Sequence, residues 1–293
     1  MRANLPKPGT YVVAVSGGVD SVALLNILVK TGKYKLIVAH FDHGIRSDSV
    51  EDLKFVNTIA DAYELDFVAG AGRLGARASE ATARLARYEF LMHTMKIKKA
   101  EAIITAHHRD DRLETMIINL IRGSGRRGMA SLTETGLIKR PLLAFSKSEI
   151  KEYADQHNLS WREDSTNSDD RYLRNYIRHN VLPRVSEADK NRFIELIDHQ
   201  ADINRQLDEL IGSLVKTDAK LERKIISGTG FSESKELIAY WLRDNNLINF
   251  DRKTIERLTL AIKTKRPGTR LDVYDNASIL IDKKFLALTT LER

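Results

Sequence analysis

The stretch Val12-Val13-Ala14-Val15-Ser16-Gly17-Gly18-Val19-Asp20-Ser21 decides the fold that we predict for this chain. A run of β-branched residues predicts a buried strand, two glycines predict a tight turn, and the apolar residues at 22–29 predict a buried helix. Glycines at the end of a strand let backbone N–H groups approach a ligand closely, and the following helix offers unpaired N–H groups to an anion. The stretch therefore predicts a cradle for phosphate groups, with a plain strand-to-helix turn as the alternative.

The side chains of this turn also favour a phosphate site. Ser16 and Ser21 carry hydroxyl groups that can donate hydrogen bonds to phosphate oxygens, and Asp20 can hold a magnesium ion that neutralises a polyphosphate. The turn is not a Walker A loop, because no Gly-Lys-Ser or Gly-Lys-Thr follows at the required spacing. It resembles the pyrophosphatase loop of the N-type ATP pyrophosphatases, which adenylylate a substrate and release pyrophosphate. This resemblance implies that ATP is bound by Ser16, Gly17, Gly18, Val19, Asp20 and Ser21.

Strands and helices alternate through the first half of the chain. Three further buried strands are predicted at 35–41, 65–69 and 102–106, with helices at 50–63, 80–95 and 111–122. Such alternation is typical of right-handed βαβ units, so we predict an α/β fold with a doubly wound parallel sheet. Ligands bind beyond the carboxyl ends of the strands in such sheets, and the motifs of this chain follow its first, second and fourth strands.

Length and composition predict an ordinary globular protein of about two domains. The chain has 293 residues, of which 42% are hydrophobic and 30% charged. It contains no cysteine, which excludes disulfides, thiolate zinc sites, iron–sulfur clusters and persulfide chemistry on this chain. No apolar run reaches membrane-spanning length, and the start of the sequence lacks the apolar core of a signal peptide. We therefore expect a cytoplasmic protein without a membrane partner.

The charge balance points to a polyanionic partner. The formal net charge is +7, which favours nucleic acid, although solvated basic faces would give the same balance. Arg171, Arg174 and Arg178 are spaced by three and four residues, so they would share one face of a helix, beside Tyr172 and Tyr176. A basic stripe next to aromatic rings fits an RNA backbone with stacked bases, and a solvated helix face is the alternative.

The second motif, His40-Phe41-Asp42-His43-Gly44-Ile45-Arg46, ends the second predicted strand. Two histidines and an aspartate are good metal ligands, so a metal-dependent phosphohydrolase is one hypothesis. The other is that these polar side chains fix a loop by hydrogen bonds, which is the commoner role at the end of a strand.

The third motif runs from His107 to Thr115 and holds three carboxylates. Asp110 and Asp111 lie at the predicted start of a helix, where carboxylates suit the helix dipole, and Glu114 follows one turn later. An acidic helix cap would explain either aspartate alone. It does not explain His107 and His108 just before the aspartates and Glu114 just after them.

Taken together, these stretches narrow the resemblance to one family. The chain resembles the tRNA(Ile)-lysidine synthetases, with the motifs in the same order, over about its first two thirds. The matching stretches are Ser16 to Ser21, His40 to Arg46, Ala83 to Tyr88, Thr105 to Thr115, Arg122 to Gly125, Arg140 to Leu143, Trp161 with Glu163 and Asp164, and Arg174 to Arg178. The departures from the family pattern are Arg112 in place of Gln, Ile45 in place of Leu and Thr166 in place of Ser. Only Arg112 changes the charge, and it stands among the acidic residues.

The resemblance implies a two-step reaction on the wobble cytidine of a minor isoleucine tRNA with a CAU anticodon. The cytidine O2 attacks the α-phosphate of ATP and releases pyrophosphate, and the amine of free L-lysine then displaces AMP at C2. ATP and Mg²⁺ are the implied cofactors, and tRNA(Ile) and L-lysine are the implied partners. Whether the chain forms a homodimer is left open.

The resemblance also assigns site residues. The ATP site would add His40, Asp42, His43 and Arg46 to the turn at 16–21. The catalytic carboxylates would be Asp20, Asp110, Asp111 and Glu114, with Asp20 and Asp110 as the magnesium ligands. The candidates for contact with tRNA or lysine are Arg84, Arg87, His107, His108, Arg122, Arg126, Arg174 and Arg178. Which carboxylate serves magnesium and which serves lysine stays open.

Two other classes of function are weighed against this one. Another adenylylating enzyme, such as an amide-forming nucleotide synthetase, would use the same loop. A nucleotide-dependent tRNA-binding protein without catalysis would be expected to lack the acidic residues near the loop, which this chain has. Residues 123–128 also spell the dinucleotide fingerprint Gly-x-Gly-x-x-Gly, but they follow a predicted helix and not a strand. We predict a glycine-rich loop with two arginines there.

The end of the chain predicts a second, mainly helical domain. Pro183 and the polar stretch 186–191 mark a boundary between a catalytic domain at 1–185 and a tRNA-recognition domain at 186–293. Before it, Ser146 to Glu149 predicts a capping box that opens a helix. After it, helices are predicted at 192–215, 233–245 and 252–263, and short strands at 269–274, 278–281 and 285–288. The apolar stripe of the first helix comprises Phe193, Leu196, Ile197, Ile203, Leu207, Leu210, Ile211 and Leu214.

Overall fold

The computed structural model describes residues 3–44, 49–72, 80–130, 132–133, 136–163, 170–215, 219–247, 250–274 and 277–290. The chain divides into two compact units, Met1–Ala201 and Asp202–Arg293. No helix in the described part of the chain has the length and apolar character needed to cross a membrane.

The first unit is built on a parallel sheet of five strands, which confirms the predicted α/β architecture. The strands are β1 (Gly9–Ala14), β2 (Tyr34–Asp42), β3 (Asp66–Ala71), β4 (Ala102–Ile104) and β5 (Ile138–Lys139), in the order β3-β2-β1-β4-β5. The sequence did not predict β5, because two residues are too few to show a periodic pattern.

Helices cover both faces of this sheet. They are α1 (Val19–Thr31), α2 (Ser49–Ala62), α3 (Glu80–Ile97), α4 (Arg109–Ile121), α5 (Arg126–Met129), α6 (Lys147–Gln156) and α7 (Leu173–Tyr176). Val13 packs in a cluster with Leu24 of α1 and Ile150 of α6, whereas its neighbour Val12 packs in a separate cluster with Leu91 of α3. Adjacent strand residues thus enter opposite cores, as the two-residue period of a strand requires.

The order of the strands places a crevice beside β1. The chain runs from β1 to β2 and β3 on one side and then returns to β4 on the other side. Such a switch leaves an opening beyond the carboxyl ends of β1 and β4, where α/β sheets bind their ligands. The residues after β1 and after β4 therefore meet there.

The segment after α7 differs from the single helix that the arginine spacing predicts. α7 begins only at Leu173, a π-helical turn follows at Ile177–Val181, and a 3₁₀ turn at Leu182–Arg184 ends the segment. Pro183 has no N–H group and its ring clashes with a helical carbonyl one turn earlier, so a regular α-helix cannot continue through it.

The second unit pairs helices with an antiparallel sheet, as predicted. Its elements are α9 (Arg223–Gly228), α10 (Phe231–Asp244), α11 (Arg252–Thr264), β6 (Lys220–Glu222), β7 (Arg270–Tyr274), β8 (Ala277–Ile281) and β9 (Phe285–Thr290), with strand order β6-β9-β8-β7. Its core is centred on Trp241, Leu258 and Ile279, all completely buried. The sequence did not predict β6 and α9.

The helix α8 (Glu187–Leu214) begins in the first unit and ends in the second. Its predicted apolar stripe is only partly buried: Ile197 and Ile211 are inside their clusters, whereas Leu196, Leu210 and Leu214 are each more than half exposed. Part of the apolar stripe of this helix is therefore exposed.

Candidate active site

A cavity of about 890 Å³ opens at the carboxyl ends of β1 and β4. The predicted site residues that line it are Ser16, Gly18, Val19, Asp20, Ser21, His40, Asp42, His43, Arg87, His107, Asp111 and Arg178. Outside its lining are Gly17, Arg84, His108, Asp110, Glu114, Arg122, Arg126 and Arg174. Arg46 lies outside the described residues, as do the departures Ile45 and Thr166. The structure thus brings the first, second and third motifs to one cavity.

The turn after β1 is held in shape by the hydroxyl of Ser21. Its Oγ accepts hydrogen bonds from the N–H groups of Ser16 and Gly17, both at 3.2 Å, and donates one to the carbonyl of Gly18 at 2.9 Å. Ser16 Oγ lies 3.3 Å from the same hydroxyl. Gly18 is the N-cap residue of α1 and lines the cavity. Because glycine has no side chain, no side-chain hydrogen bond caps the amino end of this helix.

The two glycines of the turn are needed for different reasons. Gly17 has φ +94°, a conformation that strains any residue with a Cβ atom, and a Cβ there would lie 3.4 Å from Phe55 and Val56. Gly18 has an ordinary φ of −74°, and a Cβ there would meet only Ser16 Oγ, at 3.6 Å. Within the described part of the chain no other atom comes within 4 Å of that Cβ position, so Gly18 suits close approach of a phosphate group.

The second motif fixes the end of β2 by hydrogen bonds. His40 is buried, and its Nδ1 lies 2.9 Å from the carbonyl oxygen of Val15, while Asp42 Oδ1 accepts a hydrogen bond from the Gly44 N–H at 2.7 Å. Among the residues that the structure describes, no three His, Cys, Asp or Glu side chains are grouped to hold a metal ion. The geometry therefore favours the loop-fixing hypothesis for His40 and Asp42 over a metal site.

The third motif begins α4 with an unusual cap. His108 is the N-cap residue: its Nδ1 accepts a hydrogen bond from the Asp111 N–H at 3.4 Å, and Asp111 Oδ2 accepts one from the His108 N–H at 3.0 Å. The Nδ1 contact leaves the proton of a neutral His108 on Nε2, which lies 3.5 Å from Asp111 Oδ2 and 3.9 Å from Asp20 Oδ2. His108, a substrate candidate from the sequence, thus positions Asp111.

Asp111 is the carboxylate of this motif that reaches the cavity. Burial acts to raise its pKa, but His108, His107, the hydrogen bond from the His108 N–H and Arg178 together outweigh burial and lower the pKa of Asp111. The carboxyl is therefore ionised at neutral pH and presents a negative charge to the cavity.

Lys147 links the two aspartates predicted to bind magnesium. Its Nζ lies 2.6 Å from Asp20 Oδ2, and its backbone N–H donates to Asp110 Oδ2 at 2.9 Å. Among the described residues, the other oxygen of each carboxylate, Oδ1, is buried without a hydrogen-bond partner, and Asp110 Oδ1 lies 3.8 Å from Arg109 Nε. A buried carboxylate oxygen with no partner is costly unless something else binds it.

The unpartnered oxygens test whether a magnesium ion fits this site. Mg²⁺ is commonly held by one or two carboxylates together with phosphate oxygens and water, so a group of three protein ligands is not required. Asp20 Oδ1 and Asp110 Oδ1 are oxygen ligands of the kind that Mg²⁺ prefers. The residues present therefore fit a magnesium ion that is shared with a bound polyphosphate.

Glu114 is placed away from the cavity and is fully buried. Arg178 donates to Oε1 from Nε at 2.7 Å and to Oε2 from Nη2 at 2.9 Å, and Arg174 Nη1 lies 3.3 Å from Oε2. Burial raises the pKa of the Glu114 carboxyl, and the hydrogen bonds from Arg178 oppose that shift. Both carboxylate oxygens are engaged by arginines, so the geometry gives Glu114 the role of holding Arg178 at the cavity wall.

Arg112, the charged departure from the family pattern, points away from the cavity. It is buried, and its Nη2 pairs with Asp198 of α8. One turn earlier, Arg109 pairs with Glu187 at 2.6 Å and donates to Asn191 at 3.1 Å. Two arginines of α4 are therefore used to fasten it to the start of α8, and Arg112 adds no charge at the cavity.

His107 lies on the cavity wall in a basic surrounding. Its Nδ1 lies 2.8 Å from Thr105 Oγ1. Burial lowers the pKa of His107 to about 3. The positive charges of Arg140, Arg84 and Arg87 also act to lower this pKa, whereas the negative charge of Asp111 acts to raise it. The ring is neutral at physiological pH.

Of the remaining arginine candidates, Arg87 lines the cavity and the others do not. The guanidinium groups of Arg84 and Arg87 lie 5.1 and 5.7 Å from the centre of the Tyr88 ring. Arg122 ends α4 and is exposed, and Arg126 begins α5. The Gly-x-Gly-x-x-Gly stretch lies between and within these two helices and follows no strand, as predicted.

Several basic residues of the cavity lining were missed by sequence reasoning, among them Lys147 and Arg162. Lys147 was noticed only as part of the capping box of Ser146 and Glu149, which the structure confirms. Arg162 donates its backbone N–H to the Gly17 carbonyl at 3.0 Å, and its side chain pairs with Glu51 and Asp52 at the start of α2. Lys147 follows β5, which pairs with β4, and this position places it at the cavity. The sequence alone does not reveal β5, so it gave no signal for Lys147.

Comparison with known proteins places the chain in a family. Residues 3–185 match the family model of the PP-loop domain. The chain is 36% identical over 197 residues to a tRNA(Ile)-lysidine synthase of Solibacter usitatus, a match covering 66% of this chain and 44% of that protein. It is 30% identical over 298 residues to the tRNA(Ile)-lysidine synthase of Staphylococcus aureus strain MRSA252, covering 92% of this chain and 69% of the relative. The chain belongs to the tRNA(Ile)-lysidine synthase family.

Membership of this family confirms the resemblance drawn from the motifs, and the PP-loop domain supports the use of ATP. The chain covers less than half of the length of the Solibacter usitatus member of the family. A solved structure shows the same fold: the U34-tRNA thiolase NcsA from Methanococcus maripaludis, described with its [4Fe-4S] cluster, has a TM-score of 0.54 and 16% identity, covering 67% of this chain and 73% of that one.

Proposed function

We propose that this chain ligates L-lysine to C2 of the wobble cytidine of a minor isoleucine tRNA with a CAU anticodon. ATP would first adenylylate the cytidine and release pyrophosphate, and lysine would then displace AMP to give lysidine. One observation carries the proposal. The turn at 16–21 and the acidic start of α4 contain two of the motifs that resemble the family, and both line a single cavity although about 90 residues separate them in the chain.

The turn at 16–21 suits the pyrophosphate part of ATP. The helix dipole of α1, the hydroxyl of Ser16 and the open space beside Gly18 all favour a bound polyphosphate, and the hydroxyl of Ser21 holds the turn in shape for it. Asp20 and Asp110 would hold Mg²⁺ through their unpartnered oxygens. When bound, the ion would neutralise negative charge as the pyrophosphate leaves.

Asp111 suits the ammonium group of lysine. It lines the cavity, and its lowered pKa makes it a stable anion but a weak base. We therefore assign Asp111 to binding the lysine amine and not to removing its proton. Arg178, held by Glu114 through its Nε and Nη2, stands on the same wall, and its Nη1 can donate to the lysine carboxylate. Glu114 acts through Arg178 in this assignment.

The anticodon loop would meet the surface around this cavity. Arg84, Arg87, Arg122, Arg126 and Arg174 remain candidates for contact with its phosphates. Tyr172 and Tyr176 are about half exposed and can stack on unpaired bases. A cytidine in an anticodon loop is already single-stranded, so its presentation to the cavity costs little. Because the substrate is a tRNA, we place the reaction in the cytoplasm, and a homodimer is the oligomeric state to be tested.

The test is pyrophosphate release by purified protein with ATP and Mg²⁺. The reactions contain minor isoleucine tRNA with the CAU anticodon, with or without ¹⁴C-lysine. Methionine tRNA, which has the same anticodon, is the matched control. We expect release that needs the isoleucine tRNA, label on that RNA only when lysine is present, and neither activity in Asp20→Asn.

Two results would contradict the proposal. Pyrophosphate release without tRNA, or release driven by ammonia in place of lysine, would identify a small-molecule synthetase. Binding of tRNA without pyrophosphate release would identify a nucleotide-dependent tRNA-binding protein.

A further inference from the structure

Lys147 makes two contacts that together organise the candidate site. Its backbone N–H bonds Asp110 Oδ2 at 2.9 Å, and its ammonium pairs with Asp20 Oδ2 at 2.6 Å. Only the second contact needs a lysine, since every residue except proline has a backbone N–H. The capping box of Ser146 and Glu149 fixes the start of α6 without the Lys147 side chain. The side chain therefore has no evident role in the local fold.

The ammonium stands beside the residues that bind phosphate. Lys147 lines the cavity with Ser16, Gly18 and Ser21, and its side chain is 47% exposed, so a ligand in the cavity can reach it. Among the residues of the turn at 16–21, Asp20 carries the negative charge. The ammonium thus neutralises the negative charge of Asp20 at Oδ2. Asp20 Oδ1 has no hydrogen-bond partner among the described residues.

We infer that Lys147 is a phosphate-binding residue of the adenylylation step. This inference rests on the proposed use of ATP and Mg²⁺. In the structure Asp20 holds the ammonium. Bound ATP would attract the ammonium to its phosphate chain, and Asp20 would be the residue that holds a divalent cation in its place. The ammonium then balances charge on the phosphates, including the charge that develops on the leaving pyrophosphate.

The test measures binding, so it does not depend on lysine transfer. Calorimetry gives the Kd of ATP, of pyrophosphate and of adenosine for the full chain and for Lys147→Met, each in Mg²⁺. Loss of one charge-assisted hydrogen bond predicts roughly 10- to 100-fold weaker binding of ATP and pyrophosphate. Adenosine has no phosphate, and its affinity should change less than about twofold. Lys147→Arg keeps the charge and should recover most of the lost affinity.

Lys98→Met is the matched control. Lys98 also pairs with an aspartate, Asp66 at 3.2 Å, but Asp66 begins β3 at the edge of the sheet opposite the cavity. The control loses the same charge and should keep the affinities of the parent. Unchanged affinity for pyrophosphate in a folded Lys147→Met would overturn the inference, and so would an equal loss for adenosine, which would indicate a general disturbance of the site.

The proposed function can fail separately. A parent protein that binds ATP and shows the Lys147 effect but transfers no lysine to tRNA would contradict the proposed function and support this inference. A parent protein that binds neither ATP nor pyrophosphate would overturn both.

Discussion

Arg178 donates two parallel hydrogen bonds, of 2.7 and 2.9 Å, to the carboxylate of Glu114, which is completely buried. The guanidinium itself is about one third exposed and forms part of the cavity wall. A buried anion therefore orients a cation that a substrate can reach.

The first prediction concerns the energetic coupling of this pair. Glu114→Met and Arg178→Met should each lower the free energy of unfolding by about 2–4 kcal/mol, because each leaves a charged partner poorly compensated. The partial exposure of Arg178 puts its unpaired charge at the lower end of this range. The double variant should lose about 1–2 kcal/mol less unfolding free energy than the two single variants lose in sum. Urea unfolding of the four proteins measures this cycle, and additive losses would show that the pair does not act as a unit.

The second prediction separates the two glycines of the turn. Gly17→Ala forces a Cβ into a left-handed conformation and should cost about 1–2 kcal/mol of unfolding free energy. Gly18→Ala meets only Ser16 Oγ and should leave stability within about 0.5 kcal/mol of the parent. It should nevertheless weaken ATP binding, because the added methyl occupies space that we assign to phosphate.

Thermal unfolding and ATP calorimetry on both variants check this pair. Full ATP affinity in Gly18→Ala would show that the phosphate chain does not approach this position.

The third prediction addresses the departure at Arg112. Because Arg112 pairs with Asp198 on α8, Arg112→Gln should change the KM for lysine in the proposed reaction less than about twofold. Its cost should appear in stability and stay near 1 kcal/mol, since Asp198 is mostly exposed and its charge is screened by water. Asp198→Asn is the matched variant: it should leave the KM for lysine equally unchanged but cost more stability, because it leaves the buried Arg112 guanidinium without its carboxylate. A large change in KM for lysine with Arg112→Gln would place this residue at the substrate after all.

The fourth prediction is a pH effect on stability. The pKa of His107 is about 3 in the folded protein and about 6.5 in the unfolded chain, so between these values the unfolded chain binds the extra proton. Stability should therefore fall as pH falls, by about 2 kcal/mol between pH 7 and pH 5 from this residue.

His107→Gln removes the titrating group and should flatten the pH dependence in this window. Urea unfolding at pH 7 and pH 5 measures the difference for both proteins. An equally steep fall in the variant would assign the acid sensitivity to other groups.

The sequence predicted the parts of the site that are local in the chain. The turn at 16–21 and the start of α4 each lie within one short stretch, where spacing and residue type carry the information. The sheet followed in the same way, because β1, β2 and β4 are buried on both faces and read as continuous apolar runs.

The sequence could not predict contacts between distant residues. Glu114 was expected to face a ligand, but Arg174 and Arg178, 60 and 64 residues later, take up its carboxylate. His108 was not expected as a helix cap, because Asp110 and Asp111 beside it are more usual cap residues. Lys147 was missed because β5 has only two residues, and without β5 nothing places Lys147 at the cavity.

The hydroxyl of Ser21 has one further consequence, for the cost of binding. By bonding two N–H groups and one carbonyl of its own turn, it builds the shape of the cradle before any ligand is present. A preorganised loop loses little conformational entropy when it is filled, so more of the contact energy remains as affinity. Nucleotide capture would then be governed by the attraction between charges and not by the slower folding of a flexible segment, which predicts association that slows as ionic strength rises.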